Sequence, residues 1–203
     1  MKRTLLPGIL LLMTAVGFTQ AKKVLPGSAQ VKNTVISFYK WYNQNWKKID
    51  AFKLYKSKKG NDGPPYVIDW KAVEGYFSYL RKNVPYAGED FIANERKHFK
   101  KAEKDFKSNP EEEIPMGFDY DRFTNSQEEP KWFVGELLKK DKHWTITMQG
   151  SATASVSITQ KTDEGSSHTF FCIDLVKEKG RWVLAKLGCE TGEEAEAVKE
   201  KEL

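Results

Sequence analysis

Residues 168–189 read HTFFCIDLVKEKGRWVLAKLGC, two apolar runs separated by a charged turn that ends in glycine. Phe171, Ile173 and Leu175 lie two apart, so on a strand they share one fully apolar face. Phe170 and Cys172 make the other face partly apolar, which suits a central strand of an antiparallel meander. Gly180 supplies the left-handed position of a tight hairpin, and RWVLAKL is the returning strand. Working upstream, HWTITMQG (143–150) and SATASVSIT (151–159) are also strand-like and bounded by turn residues. The second alternates small or apolar residues with hydroxyls, which predicts one wet face.

The chain before this meander has a different period. Val31, Val35, Phe38, Tyr42 and Trp46 recur every three or four residues, the spacing of an amphipathic helix. Tyr39 and Trp41 add aromatic side chains on further faces, as expected of a helix buried across a sheet or lining a ligand pocket. KSKKGNDGPP (56–65) is a solvated turn whose flanks, Leu54-Tyr55 and Tyr66-Val67-Ile68, can pair as a short hairpin. Asp69 is placed to cap a second helix carrying Trp70, Val73, Phe77 and Leu80 on one stripe, with Pro85 closing it. A third helix spans about residues 89–107, its apolar face formed by Phe91, Ile92, Phe99, Ala102 and Phe106. Its basic run RKHFKKAEKDFK reads as a solvated face diluted by Glu95, Glu103 and Asp105, with His98 at the surface; an anionic partner is the alternative. The expected architecture is α+β: three N-terminal helices packed on one side of a curved antiparallel sheet of four or more strands.

Lys2 and Arg3 precede an apolar stretch from Leu5 to Phe18, and Thr19-Gln20-Ala21 offers small residues for a peptidase. The run is short of the roughly 20 residues that span a bilayer, so residues 1–21 read as a signal peptide cleaved after Ala21. The expected divisions are a flexible leader over 22–28, one domain over 29–190 and an acidic tail over 191–203. No cysteine lies near the cleavage site for lipid attachment, and no later segment is apolar enough to cross a membrane. The expected location is the periplasm or the medium. The formal net charge of +5 falls by two on cleavage, too weak an excess for a nucleic-acid partner.

Cys172 and Cys189 are the two cysteines. In an exported chain they invite a disulfide, which in the chain-entropy model contributes about 3 kcal/mol. A tight hairpin with Lys177 opposite Arg181 would place Cys172 against Lys186, with Cys189 pointing to the other face. A bulge at Gly188 would restore the pairing, so both states stay open.

The element order, with its long first helix and late meander ending KGRWVLAKL, resembles the cone-shaped nuclear-transport-factor-2-like fold. DWKAVEGYFSYLRKN (69–83), EDFIANERKHFKKA (89–102) and FDYDRFTNSQEEP (118–130) resemble the bacterial family called domain of unknown function 3828, as does the terminal strand pair with Trp182 after its Gly180 turn. The resemblance implies an exported bacterial protein with no assigned activity, often a lipoprotein. The missing lipidation cysteine departs from the lipidated members. The broader fold hosts isomerases, dehydratases, binders and immunity proteins, so function has to come from a site.

The polar stretch GFDYDRFTNSQEEP (117–130) is the candidate site. Starting at Asp119, a helix-loop-helix calcium pattern fails: the fifth position is Phe123, the sixth Thr124 and the twelfth Pro130. Asp, Asn and Ser in such a run commonly bond nearby backbone groups and shape a turn. Near the mouth of a cone, Asp119, Asp121, Asn125 and Gln127 would also grip a ligand, with Trp41 and Tyr42 of the first helix beside them. Neither a metal nor a cofactor is called for by any motif, and nucleophile patterns are missing. Asp174, between Ile173 and Leu175, is the acid that a pocket lyase or isomerase would use, or else a sheet-face residue near solvent. The expectation is a non-enzymatic envelope protein binding a small molecule, peptide or protein. The alternatives are an inhibitor or immunity protein acting by surface contact, and a cofactor-free pocket enzyme.

Overall fold

The computed structural model describes residues 27–60, 63–112, 117–161 and 166–188. The expected signal peptide, most of the expected leader, Cys189 and the expected acidic tail lie outside these residues. Helix α1 spans Gly27–Asp50 and buries Val31, Val35, Phe38, Tyr39, Tyr42 and Ile49. Tyr39 joins the stripe because a helix advancing 100° per residue puts positions 35, 38, 39 and 42 on one broad face. The short hairpin forms as expected, with β1 (Tyr55–Ser57) antiparallel to β2 (Tyr66–Ile68).

Helix α2 (Trp70–Asn83) starts where Asp69 Oδ1 accepts the backbone N–H of Lys71 and Ala72, the side-chain cap its position promised. Helix α3 (Glu89–Ser108) follows after Gly88, and Arg81 of α2 grips Glu89 through two nitrogens at 2.9 and 3.0 Å. Gly88 is a close-approach glycine. A Cβ there would fall 2.6 Å from Glu178 Oε1, 2.7 Å from Val183 Cγ2 and 2.9 Å from the Leu184 carbonyl oxygen.

A fourth helix, α4 (Pro130–Leu137), corrects the expected three. It is two turns long, so its periodic signal reduces to Pro130, Phe133 and Leu137, all buried. Tertiary contact reveals it: the Phe133 ring lies 4.7 Å from Tyr39 and 5.2 Å from both Phe170 and Phe171.

The main sheet is a four-stranded antiparallel meander, β3 (Lys142–Gln149), β4 (Thr153–Lys161), β5 (Ser167–Glu178) and β6 (Arg181–Leu187), in sequence order. Ala154, Val156 and Ile158 pair with Leu175, Ile173 and Phe171, and this face belongs to the same buried cluster as the apolar faces of α1, α2 and α3. The alternate residues Ser155, Ser157 and Asp174 are half-buried, giving the hydroxyl-rich second face that the alternation predicted.

The β5–β6 register differs from expectation. The turn is Lys179-Gly180, with φ of 49° and 78°, so Glu178 pairs with Arg181 rather than Lys177. A bulge between Asp174 and Leu175 shifts the ladder once more, and the Gly188 N–H donates to the Cys172 carbonyl at 3.0 Å. Cys172 therefore has Gly188 across from it, which removes the register objection to a bridge. Cys172 is disulfide-bonded, and its partner lies outside the described residues. The free edge of β6 is closed by the chain before α3, where Leu184 exchanges backbone hydrogen bonds with Tyr86 and Gly88.

Candidate functional site

The stretch around Asp121 is first of all a built turn. Asp121 Oδ1 accepts from the backbone N–H of Phe123 (2.9 Å) and Thr124 (2.8 Å) and from Thr124 Oγ1 (3.0 Å). Its own N–H donates to the Ser126 carbonyl at 2.9 Å, and Asn125 takes a positive φ of 49° to close the loop. The turn is then fastened to α1 twice. The Tyr42 hydroxyl donates to Asp121 Oδ2, and the Tyr39 hydroxyl donates to the Phe123 carbonyl at 2.8 Å. Phe123 is driven into the core, its ring centroid 4.6 Å from Tyr42 and 5.8 Å from Phe38.

This turn walls one side of an open cavity of about 520 Å³. Tyr42 and Ile49 come from α1, Phe52 and Tyr55 from the following segment, Tyr76 from α2, and His98 and Phe99 from α3. Phe118, Asp121 and Arg122 complete the wall. The lining is aromatic with a few fixed polar groups, the usual make-up of a small-molecule pocket, and its volume falls in the usual range.

Beneath the wall lies an ion pair whose carboxylate is buried and whose guanidinium is partly exposed. Glu95 is 1% exposed, and its Oε1 sits 2.9 Å from an Arg122 terminal nitrogen while Oε2 accepts the Tyr76 hydroxyl at 3.4 Å. Burial raises the Glu95 carboxyl above its ordinary value, outweighing the opposing pull of Arg122 and the hydrogen bonds. The Arg122 Nε is also buried and has no hydrogen-bond partner among the described residues. His98 packs beside Phe99 and Phe118, under Gly117, where an added Cβ would come within 3.2 Å of the imidazole Cε1. Burial first, then Arg122 and Lys101, push its imidazole down to about 4 from the ordinary 6.5, so it is neutral at physiological pH. Burial raises the hydroxyl pKa of Tyr39, Tyr42 and Tyr76, which keeps all three as donors.

The sequence candidates divide. Asp121 and Tyr42 line the cavity and bond to each other. Asp119, Asn125 and Gln127 are exposed and are not part of its lining, because the turn aims them outward. Trp41 is half-buried, stacks on Phe38 at 6.5 Å and also stays out of the lining. Asp174 lies on the second sheet face between Ser155 and Lys186, away from the cavity.

The groups that sequence reading missed are Glu95, Arg122 and His98. A signal for the first was present: Glu95 falls in the Phe91–Phe99 stripe at spacings of four, so it had to be buried with that face. Among the described residues no three His, Cys, Asp or Glu side chains gather as a metal site. No helix of the described residues is long and apolar enough to cross a membrane. No family model, curated protein or solved structure matches this chain.

Proposed function

We propose that this chain is a non-enzymatic binding protein of the bacterial envelope that takes a small molecule into the cavity walled by Tyr42, Tyr76, Phe118 and Arg122. The observation that carries the reading is the coexistence of a cavity of about 520 Å³ with an aromatic lining and a rigidly fastened rim. A pocket with its walls already fixed loses little order on binding, so more of the contact energy appears as affinity. The finer architecture in this reading is the cone-shaped nuclear-transport-factor-2-like fold, in which helices and a meander enclose such a space. Export rests on Lys2, Arg3 and the apolar run to Phe18 ahead of Ala21.

A second reading, pocket acid–base catalysis, is favoured by one observation: a buried carboxylate, Glu95, with a tyrosine donor in reach. Against it, Glu95 lies behind the wall and is not part of the cavity lining, with Arg122 and Tyr76 on its two oxygens, and a base has to come within hydrogen-bond reach of substrate.

The deciding experiment is a ligand-observed NMR screen of a metabolite library against the folded mature chain. It is repeated on Leu54→Trp, which fills the cavity from its half-buried wall. Hits that vanish in the variant support the reading. No hits, or hits indifferent to the variant, would overturn it.

A further inference from the structure

The polar groups of the cavity are not symmetric between donors and acceptors. Asp121 spends Oδ1 on two backbone N–H groups and a threonine hydroxyl, and Oδ2 on Tyr42. Glu95, behind the wall, spends its two oxygens on Arg122 and Tyr76. Every oxygen of these two carboxylates therefore already has at least one partner. On the other side, Arg122 lines the cavity with about a third of its side chain exposed, only one terminal nitrogen is engaged with Glu95, and its buried Nε–H has no acceptor among the described residues. At the exposed part of the lining Lys53 offsets Asp50, while Lys56 is engaged with Asp69 at 3.0 Å.

From this imbalance we infer that the cavity is selective for flat aromatic molecules carrying a carboxylate or similar anionic oxygen group, with Arg122 as the residue that receives it. This rests on the cavity reading above and adds the chemical class. The ring lies among Tyr55, Phe99 and Phe118, and the carboxylate meets the guanidinium edge that Glu95 leaves unused. Glu95 acts here as a positioning residue: it holds the guanidinium at the wall from below, so the fork is oriented before the ligand arrives. A cationic aromatic would face Arg122 and meet only interior carboxylate oxygens that are already engaged.

The test compares three probes of one shape, 2-naphthoate, 2-naphthylmethanol and 2-naphthylmethylammonium, by calorimetric or NMR titration at neutral pH. Wild type is expected to bind the carboxylate roughly tenfold or more tightly than the alcohol, with the ammonium weakest. Arg122→Lys keeps the positive charge but replaces the planar fork by a single ammonium, and should cut that preference to about threefold or less. Lys53→Gln, at an exposed position, should change it less. Equal binding of carboxylate and alcohol, or tighter binding of the ammonium, would overturn the inference while leaving the cavity as a binding site. If none of the three binds, the cavity reading itself falls and this inference with it. Should Arg122→Lys fail to fold, the three-probe comparison on wild type still decides.

Discussion

The proton that His98 refuses in the folded state should destabilise this protein from pH 6.5 downward, beginning above the range where exposed carboxylates titrate. The imidazole is half-buried against Phe99 and Phe118 with Arg122 and Lys101 as its charged neighbours, and its pKa falls from 6.5 to about 4. The unfolded chain then binds a proton that the folded chain refuses throughout that interval. The sign follows: stability is fully present above pH 6.5 and is lost as pH falls towards 4. Each pH unit below 6.5 costs about 1.4 kcal/mol until the folded histidine begins to accept the proton, so about 2.5 kcal/mol is gone by pH 4.5. Urea unfolding at pH 7.5, 6.5, 5.5 and 4.5 measures this directly when run beside His98→Phe. The variant puts a ring of similar size in an aromatic nest and cannot take a proton. Wild type should lose about 2.5 kcal/mol more than the variant between the extremes. Parallel pH profiles would refute the burial argument and with it the placement of His98 in the cavity wall.

Glu95→Ala should destabilise by about 3 kcal/mol in urea melts at neutral pH. It leaves Arg122 partly buried without its partner and opens a void in the α3 stripe, although partial exposure of Arg122 keeps the loss at the low end for a broken buried pair. Asp121→Ala should cost about 2 to 3 kcal/mol by the same assay, because it removes two backbone caps and orphans the Tyr42 hydroxyl. An effect under about 0.5 kcal/mol would mean that the turn holds itself without its carboxylate. Gly88→Ala should cost about 2 kcal/mol, since the new methyl meets the Leu184 carbonyl at 2.9 Å and backbone must move. A neutral result in thermal melts would show that the junction between α3 and β6 is loosely packed.

Much of the architecture was written in local pattern. The 3.6-residue stripes of α1, α2 and α3, the Asp69 cap and the alternation of Ser151–Thr159 each followed from side-chain spacing acting over one element. Spacing also marked the turn at Gly180. The register of β5 against β6 could not be read this way, because a bulge and a two-residue turn shift pairing without leaving a distinct composition. Helix α4 was hidden for a related reason: two turns give too few repeats, and the helix is held by Phe133 among aromatics from α1 and β5.

The site divides along the same line. Sequence by itself determined that 117–130 would form a side-chain-bonded turn and that Tyr42 would lie on a buried face, since both depend on neighbours within a few residues. Only the tertiary structure decided which carboxylate turns inward. It set Asp121 against Tyr42, 79 residues away in the chain, brought Arg122 to Glu95, and left Asp119, Asn125 and Gln127 facing water. Hydrogen-bond donors and charges have no periodicity that reports their partners. Their meaning depends on desolvation and geometry at a few ångströms, and distant segments acquire that proximity only when the core closes.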